Sequence, residues 1–135
     1  ESTAERVKTK IGSAMEDSDH RQMQIKGRDV TEGMSRSIVI GSDEIYVAIN
    51  DALQRIVRAI RETLENTPPE LSADIFERGM VIAGGGALLR DMDRRLMQET
   101  GLPVVVAEDP LTCVARGCGR ALEEIAVLGD VFASE

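Results

Sequence analysis

The sequence predicts an α/β chain: a small α+β piece followed by a strand–helix–strand–helix segment of parallel sheet. Three observations carry this. Two short apolar runs, "MVIAG" from Met80 and "LPVVVA" from Leu102, flank one segment of helical periodicity and precede another. Strands alternating with helices at this spacing build a parallel sheet, and the crossover is nearly always right-handed. A stripe of Ile45, Ile49, Leu53, Ile56, Ile60 and Leu64 recurs at helical spacing and predicts one long amphipathic helix. Ahead of it, "QMQIKGRDV" and "SRSIVI" alternate apolar and polar residues, as strands do.

Taken in order, residues 2–15 predict the first helix. Ser2 and Glu5 have capping-box spacing, and Val7, Ile11 and Ala14 form one apolar stripe. Gly12 weakens its end, and "MEDSDH" is a polar loop. Met23, Ile25 and Val30 mark one strand of a hairpin, Ile38 and Ile40 the other, with "TEG" turning between them. A lone hairpin is marginal, so helices are expected to cover one face. At Gly41–Glu44, Ser42 is the expected cap, and two acids follow near the positive helix end. The long helix runs about 22 residues and stops before Pro68 and Pro69, which cannot continue it.

"ELSADIFE" is a short helix closed by Gly79. "MVIAG" and "LPVVVA" are strands buried on both faces. "ALLRDMDRRLMQET" predicts a helix with Leu88, Leu89, Met92, Leu96 and Met97 inward and Gly101 as its C-cap. "CVARGCGRALEEIAVL" is the final helix, with Asp109 as N-cap and Pro110 at the first helical position. Composition shifts near residue 42. Two packed subdomains are expected, 1–42 and 43–135, sharing the long helix as a connector.

Composition narrows the function. With 42% hydrophobic residues the chain can build a core. Its aromatics are Tyr46, Phe76 and Phe132, so that core is aliphatic. A net charge of -8 and the absence of Trp argue against a nucleic-acid partner, which needs a basic or stacking surface. No run approaches the roughly 20 apolar residues of a membrane span. The start, "ESTAERVK", carries no signal peptide and reads as the opening of a helix, as in a piece of a longer protein. Cys113 and Cys118 lie five apart on a predicted helix, so their side chains diverge by roughly 140°. They read as reduced small residues, neither a disulfide nor a metal knuckle.

The distinctive stretch is "VIAGGGALLR", Val81 to Arg90, with three glycines between a strand and a helix start. It is no Walker loop, because neither Lys nor Ser/Thr follows the glycines. It fits a dinucleotide fingerprint poorly, because Leu89 stands at the third glycine position. Two readings stay open. A sharp strand-to-helix turn is the simpler one. In the other, a ring or sugar presses on a backbone without Cβ atoms at the carboxyl end of a strand.

"GGGALLRDMDRRLMQETGLPVVVAEDPLTCVARGCGRALE" (Gly84 to Glu123) resembles the C-terminal part of the MreB family of bacterial actin-like cell-shape proteins. "TPPELSADI", "IKGRDVTEGMSR" and "STAERVKTKIGSA" resemble it too, in the right order, so the resemblance covers essentially the whole chain. It implies the actin-like ATPase fold, in which two large domains flank a nucleotide cleft. Residues 1–42 then correspond to the small outer subdomain of the second large domain, and 43–135 to the later half of its inner subdomain. The first large domain, and the strand pair holding the terminal phosphates, lie outside this chain.

The resemblance also implies site residues. Gly84, Gly85, Gly86 and Ala87 would face the adenosine side of ATP, with Mg2+ held mainly by the missing part. Glu5, Arg6 and Lys8 would supply the opposite wall. Glu5 and Lys8 stand at i and i+3, on one helix face. A carboxylate can accept from ribose hydroxyls, and a lysine stem can cover a base. From the residues alone this is a solvated surface pair. "VARGCG" (Val114 to Gly119) resembles the connecting helix at the hinge, where Gly117 and Gly119 would let two helices approach. Glu108, Asp109 and His20 receive no catalytic role, and no residue is expected to ligate a metal.

The implied function is an ATP-binding protein that polymerises into filaments at the inner face of the cytoplasmic membrane and directs wall synthesis and rod shape. Its partners would be further copies of itself, a RodZ-type membrane-anchored protein and the elongation machinery, with membrane association through the missing N-terminal part. The intact protein is expected to be an ATPase, and this portion alone inactive. The alternative is an interaction module that docks the RodZ-type partner without nucleotide. A sugar-kinase relative is disfavoured, because that branch lacks "AEDPLTCVARG" in this form.

Overall fold

The computed structural model describes residues 2–125. It opens with helix α1 (Ser2–Ile11), which buries Val7 and Ile11. The helix stops short of the expected residue 15. Gly12 still bonds back to the Lys8 carbonyl at 2.9 Å, but Ser13 then forms a parallel bridge with Arg90. The Ala14 N–H donates to the Arg90 carbonyl at 2.8 Å, so a tertiary bond replaces the next helical one. A Cβ at position 12 would lie 2.4 Å from the Lys8 carbonyl oxygen, so this exit from the helix requires glycine.

Strands β1 (Gln22–Arg28) and β2 (Ser35–Gly41) pair antiparallel, from Gln22 opposite Gly41 to Arg28 opposite Ser35. Asp29 organises the connection. Its carboxylate accepts the Thr31 N–H at 2.8 Å and the Glu32 N–H at 3.2 Å. Val30 therefore belongs to the turn and not to the strand, and it is 99% exposed. α1 packs on β1, yet Ile38 and Val39 remain exposed, so the helices cover the hairpin only in part.

Helix α2 (Ser42–Glu65) follows directly. Its cap differs from expectation. Gly41 holds the N-cap position and donates its N–H to Glu44 Oε1 at 3.0 Å. Ser42 is already helical and buried, and its Oγ accepts the Arg21 N–H at 3.1 Å. The helix thus anchors the hairpin base through Ser42. Along its inner face Leu53 and Val57 join Ala14, Met92, Leu96 and Val104 in the core. Helix α3 (Pro69–Arg78) closes at Gly79, as expected, and starts one residue earlier than expected, on Pro69.

β3 (Met80–Ile82) and β4 (Val104–Val106) pair in parallel, Met80 opposite Val104 and Ile82 opposite Val106. Burial on both faces was expected and is not found. Met80, Ile82 and Val104 meet the core, but Val81 is 68% exposed and Val105 57%. Among the described residues this sheet has two strands, and no layer covers its second face.

The helix expected over 87–100 is divided. A 3-10 turn, Gly85–Leu88, is followed by extended Leu89 and left-handed Asp91, and only then by α4 (Met92–Thr100). The bridge to Ser13 holds Arg90 out of the helix. Met92 and Leu96 face inward, whereas Leu88 and Met97 are exposed, against expectation. Gly101 ends α4 in the left-handed conformation. Asp109 does not cap the last helix. It has a φ of 54° and begins a turn in which its carbonyl accepts the Thr112 N–H at 3.0 Å. Helix α5 (Cys113–Glu123) then starts from Thr112. A Cβ at Gly117 or Gly119 would meet no described atom of another segment within 4 Å. The expected continuation of this helix over 126–128 lies outside the described residues, as does Phe132.

Candidate functional site

The three glycines have three different surroundings. Gly84 adopts a φ of 82°, which a side chain rarely tolerates, and donates its N–H to the Pro110 carbonyl at 2.7 Å. A Cβ on Gly85 would lie 3.4 Å from Leu111 Cδ2. Gly86 has no left-handed φ, and a Cβ there would meet no described atom within 4 Å. Neither conformation nor packing among the described residues demands glycine at 86. It borders open space.

That space is a cavity of about 440 Å³, lined by residues of α1, α2, the 3-10 turn and α4. Such a volume lies within the range of small-molecule pockets. Ile49, Leu53, Ile56 and Met92 give it an apolar lining, while Glu5 and Lys8 supply charged groups. Glu5 Oε2 and Lys8 Nζ pair at 2.9 Å. Both side chains are well exposed, so the pair adds little stability and can rearrange around a ligand.

Of the sequence-derived site residues, Glu5, Lys8, Gly85 and Gly86 line one cavity. Gly84 stands just outside the lining. Ala87 is the buried residue of the turn and does not line the cavity, and Arg6 is exposed outside the lining. Sequence reasoning missed Leu111 and Ile49 as cavity residues. Ile49 was visible only as a core position in the α2 stripe. Leu111 follows a proline in a turn and carries no periodic signal.

The arrangement offers an apolar surface for a flat ring, a bare backbone for close approach, and a carboxylate to accept from hydroxyls. Among the described residues no three His, Cys, Asp or Glu side chains converge as metal ligands, and both cysteines are free thiols. His20 Nδ1 pairs with Asp43 Oδ1 at 2.9 Å, away from the cavity. A second cavity of about 500 Å³ is polar, and most of its charges are paired: Arg94 with Asp17 at 2.6 Å, Arg95 with Glu99 at 3.3 Å, and Glu99 also with Arg61 at 2.8 Å.

Just beyond the turn, Asp91 Oδ2 accepts hydrogen bonds from Ser13 Oγ at 2.9 Å and from Ser18 Oγ. The Ser18 bond is the main cause holding this carboxyl below its usual range. Desolvation opposes it, while Ser13, Arg90 and Arg94 reinforce it.

Comparison with known proteins identifies the family and the fold. A family model described as MreB/Mbl protein matches residues 1–130. The cell shape-determining protein MreB of Escherichia coli K12 is 55% identical over 136 residues, which is 100% of this chain and 39% of the relative. The cell shape-determining protein Mbl of Bacillus subtilis 168 is 45% identical over 125 residues, covering 93% of this chain and 38% of the relative. The crystal structure of MreB5 of Spiroplasma citri bound to ADP superimposes with a TM-score of 0.85 at 38% identity, over 98% of this chain and 40% of that one. The same protein bound to AMPPNP gives 0.85 at 40% identity, over 93% of this chain and 38% of that one. The chain therefore spans about two-fifths of the length of these relatives. Among the described residues no helix is long and apolar enough to cross a membrane. With the parallel strand pair, the glycine turn and a whole-chain match in agreement, the chain has the actin-like α/β fold and belongs to the MreB/Mbl family.

Proposed function

We propose that this chain forms the adenosine-side wall of the ATP cleft in an actin-like cytoskeletal protein that determines cell shape. The observation that carries the reading is the single cavity joining Glu5 and Lys8 of α1 to Gly85 and Gly86 from the far half of the chain. Its support is threefold. The relatives named above are cell shape-determining proteins. The superimposed MreB5 structures are bound to ADP or AMPPNP. Gly86 keeps open a space that a side chain would fill.

On this reading residues 1–42 are the outer subdomain and 43–135 part of the inner one. The apolar lining takes the base, Glu5 accepts from the ribose hydroxyls, and the stem of Lys8 lies along the ring. The terminal phosphates and Mg2+ fall to the part of the protein outside this chain. Bound nucleotide supplies a terminal phosphate whose presence biases the subunit toward filament assembly, a population shift. Assembly at the inner face of the cytoplasmic membrane, with a RodZ-type partner and the wall-synthesis machinery, belongs to the same proposal and rests on family membership.

The test is Gly86→Val in the intact protein, with ADP and ATP affinity measured by fluorescence titration. Gly86 lines the cavity, and a Cβ there would meet no described atom within 4 Å. Affinity is expected to fall roughly tenfold or more, with an unchanged far-UV spectrum. Undiminished affinity would overturn the reading.

A further inference from the structure

The two cavity walls come from distant parts of the sequence. Outside the cavity, the loop leaving α1 is hydrogen-bonded to residues 90–95. The Ala14 N–H donates to the Arg90 carbonyl at 2.8 Å, and Arg95 Nη1 donates to the Ala14 carbonyl at 3.0 Å. Arg90 Nη2 donates to the Asp19 carbonyl at 3.1 Å. At the centre is Asp91, whose Oδ2 accepts from both Ser13 and Ser18. Ser13 is 1% exposed, whereas Ser18 and Asp91 are half-buried, so only the Ser13 side of the junction is shielded from water.

The conformation of Asp91 is informative. It occupies the N-cap position of α4, where an aspartate ordinarily accepts from the first helical N–H groups. Its side chain makes no such cap bond. Its backbone is left-handed, with φ 59° and ψ 21°, a conformation that a non-glycine residue adopts at a cost. The carboxylate is thereby aimed at the loop leaving α1 instead of at its own helix. Asp91 also lies three residues beyond the end of the 3-10 turn that carries Gly85 and Gly86.

We infer that Asp91 is a positioning residue for the cavity: by holding Ser13 and Ser18 it sets the distance between the α1 wall and the glycine wall. It touches no ligand and acts through Glu5 and Lys8. The inference rests on the nucleotide reading above and adds the residue that tunes its affinity.

Two substitutions separate the carboxylate from the backbone. Asp91→Gly keeps the left-handed conformation and removes the acceptor. Asp91→Asn tolerates the same conformation and keeps an acceptor oxygen. In the intact protein, ADP affinity is expected to fall roughly tenfold in Asp91→Gly and to be largely restored in Asp91→Asn. In a double-mutant cycle with Glu5→Ala, the effect of Asp91→Gly should shrink, because the wall it positions has already lost its contact. Additive effects, or equal loss in both Asp91 variants, would overturn the inference.

Amide exchange at Ala14, measured without nucleotide, gives an independent readout. It should accelerate in Asp91→Gly, and an unchanged rate would overturn the inference. If the unsubstituted protein bound no ADP, the nucleotide reading would fall, and Ala14 exchange would still decide whether Asp91 holds α1.

Discussion

Adjacent residues of one type can serve unlike purposes, and the three glycines show it. Gly84 is needed for its φ of 82°, Gly85 lies against Leu111, and Gly86 borders the cavity. Identical letters in the sequence hide this, because backbone angle and neighbours are set only once the chain folds. Leu96 is the opposite case, a residue whose role is plain in both. Its place in the apolar stripe predicts burial, and it is 1% exposed. Leu96→Ala leaves a cavity among Leu53, Val57 and Val104. It is expected to cost about 2–5 kcal/mol, read as a lower denaturation midpoint of the intact protein.

At the scale of elements, strong periodicity was a reliable guide where no distant group intervened. The α2 helix runs uninterrupted and ends where the prolines require, although Ile56 of its stripe is 44% exposed. The segment after the glycines also has helical spacing, yet it breaks at Leu89–Asp91, because Ala14 takes the Arg90 carbonyl. Nothing local announces that bond. The hairpin turn is local by contrast, and Asp29 controls it. The Thr31 N–H, then the Glu32 N–H and the Arg36 side chain, hold the Asp29 carboxyl below its usual range. A carboxyl with a depressed pKa stabilises the fold above its unfolded value, about 4, and that contribution fades as pH falls through the folded value. Amide protection at Thr31 is therefore expected to be full at neutral pH and to decline in acid below about pH 4. Asp29→Asn should remove that acid dependence, and a persisting decline would point to another group.

At the scale of the whole molecule, the parallel sheet is covered on one face only. Val81 and Val105 lie open on the other, and Val114 and Leu122 of α5 are exposed as well. Exposed apolar residues beside an open parallel edge favour association. On the proposed reading the rest of the protein covers this side. Produced alone, residues 1–135 are expected to self-associate at micromolar concentration in sedimentation velocity, and a single monomeric boundary would contradict that.

By itself the sequence determined the element types, the apolar stripes, the family and the residues offered as a site. These follow from local periodicity, capping and turn chemistry, and from a pattern long enough to identify a family. Tertiary structure decided where the helix after the glycines begins, which strand face is buried, and which site residues meet. Glu5 and Lys8 line one cavity with Gly85 and Gly86, whereas Arg6 does not. The physical reason is the same in each case: these outcomes depend on hydrogen bonds and burial between segments far apart in the chain, such as Ser13 with Asp91, which no local pattern encodes.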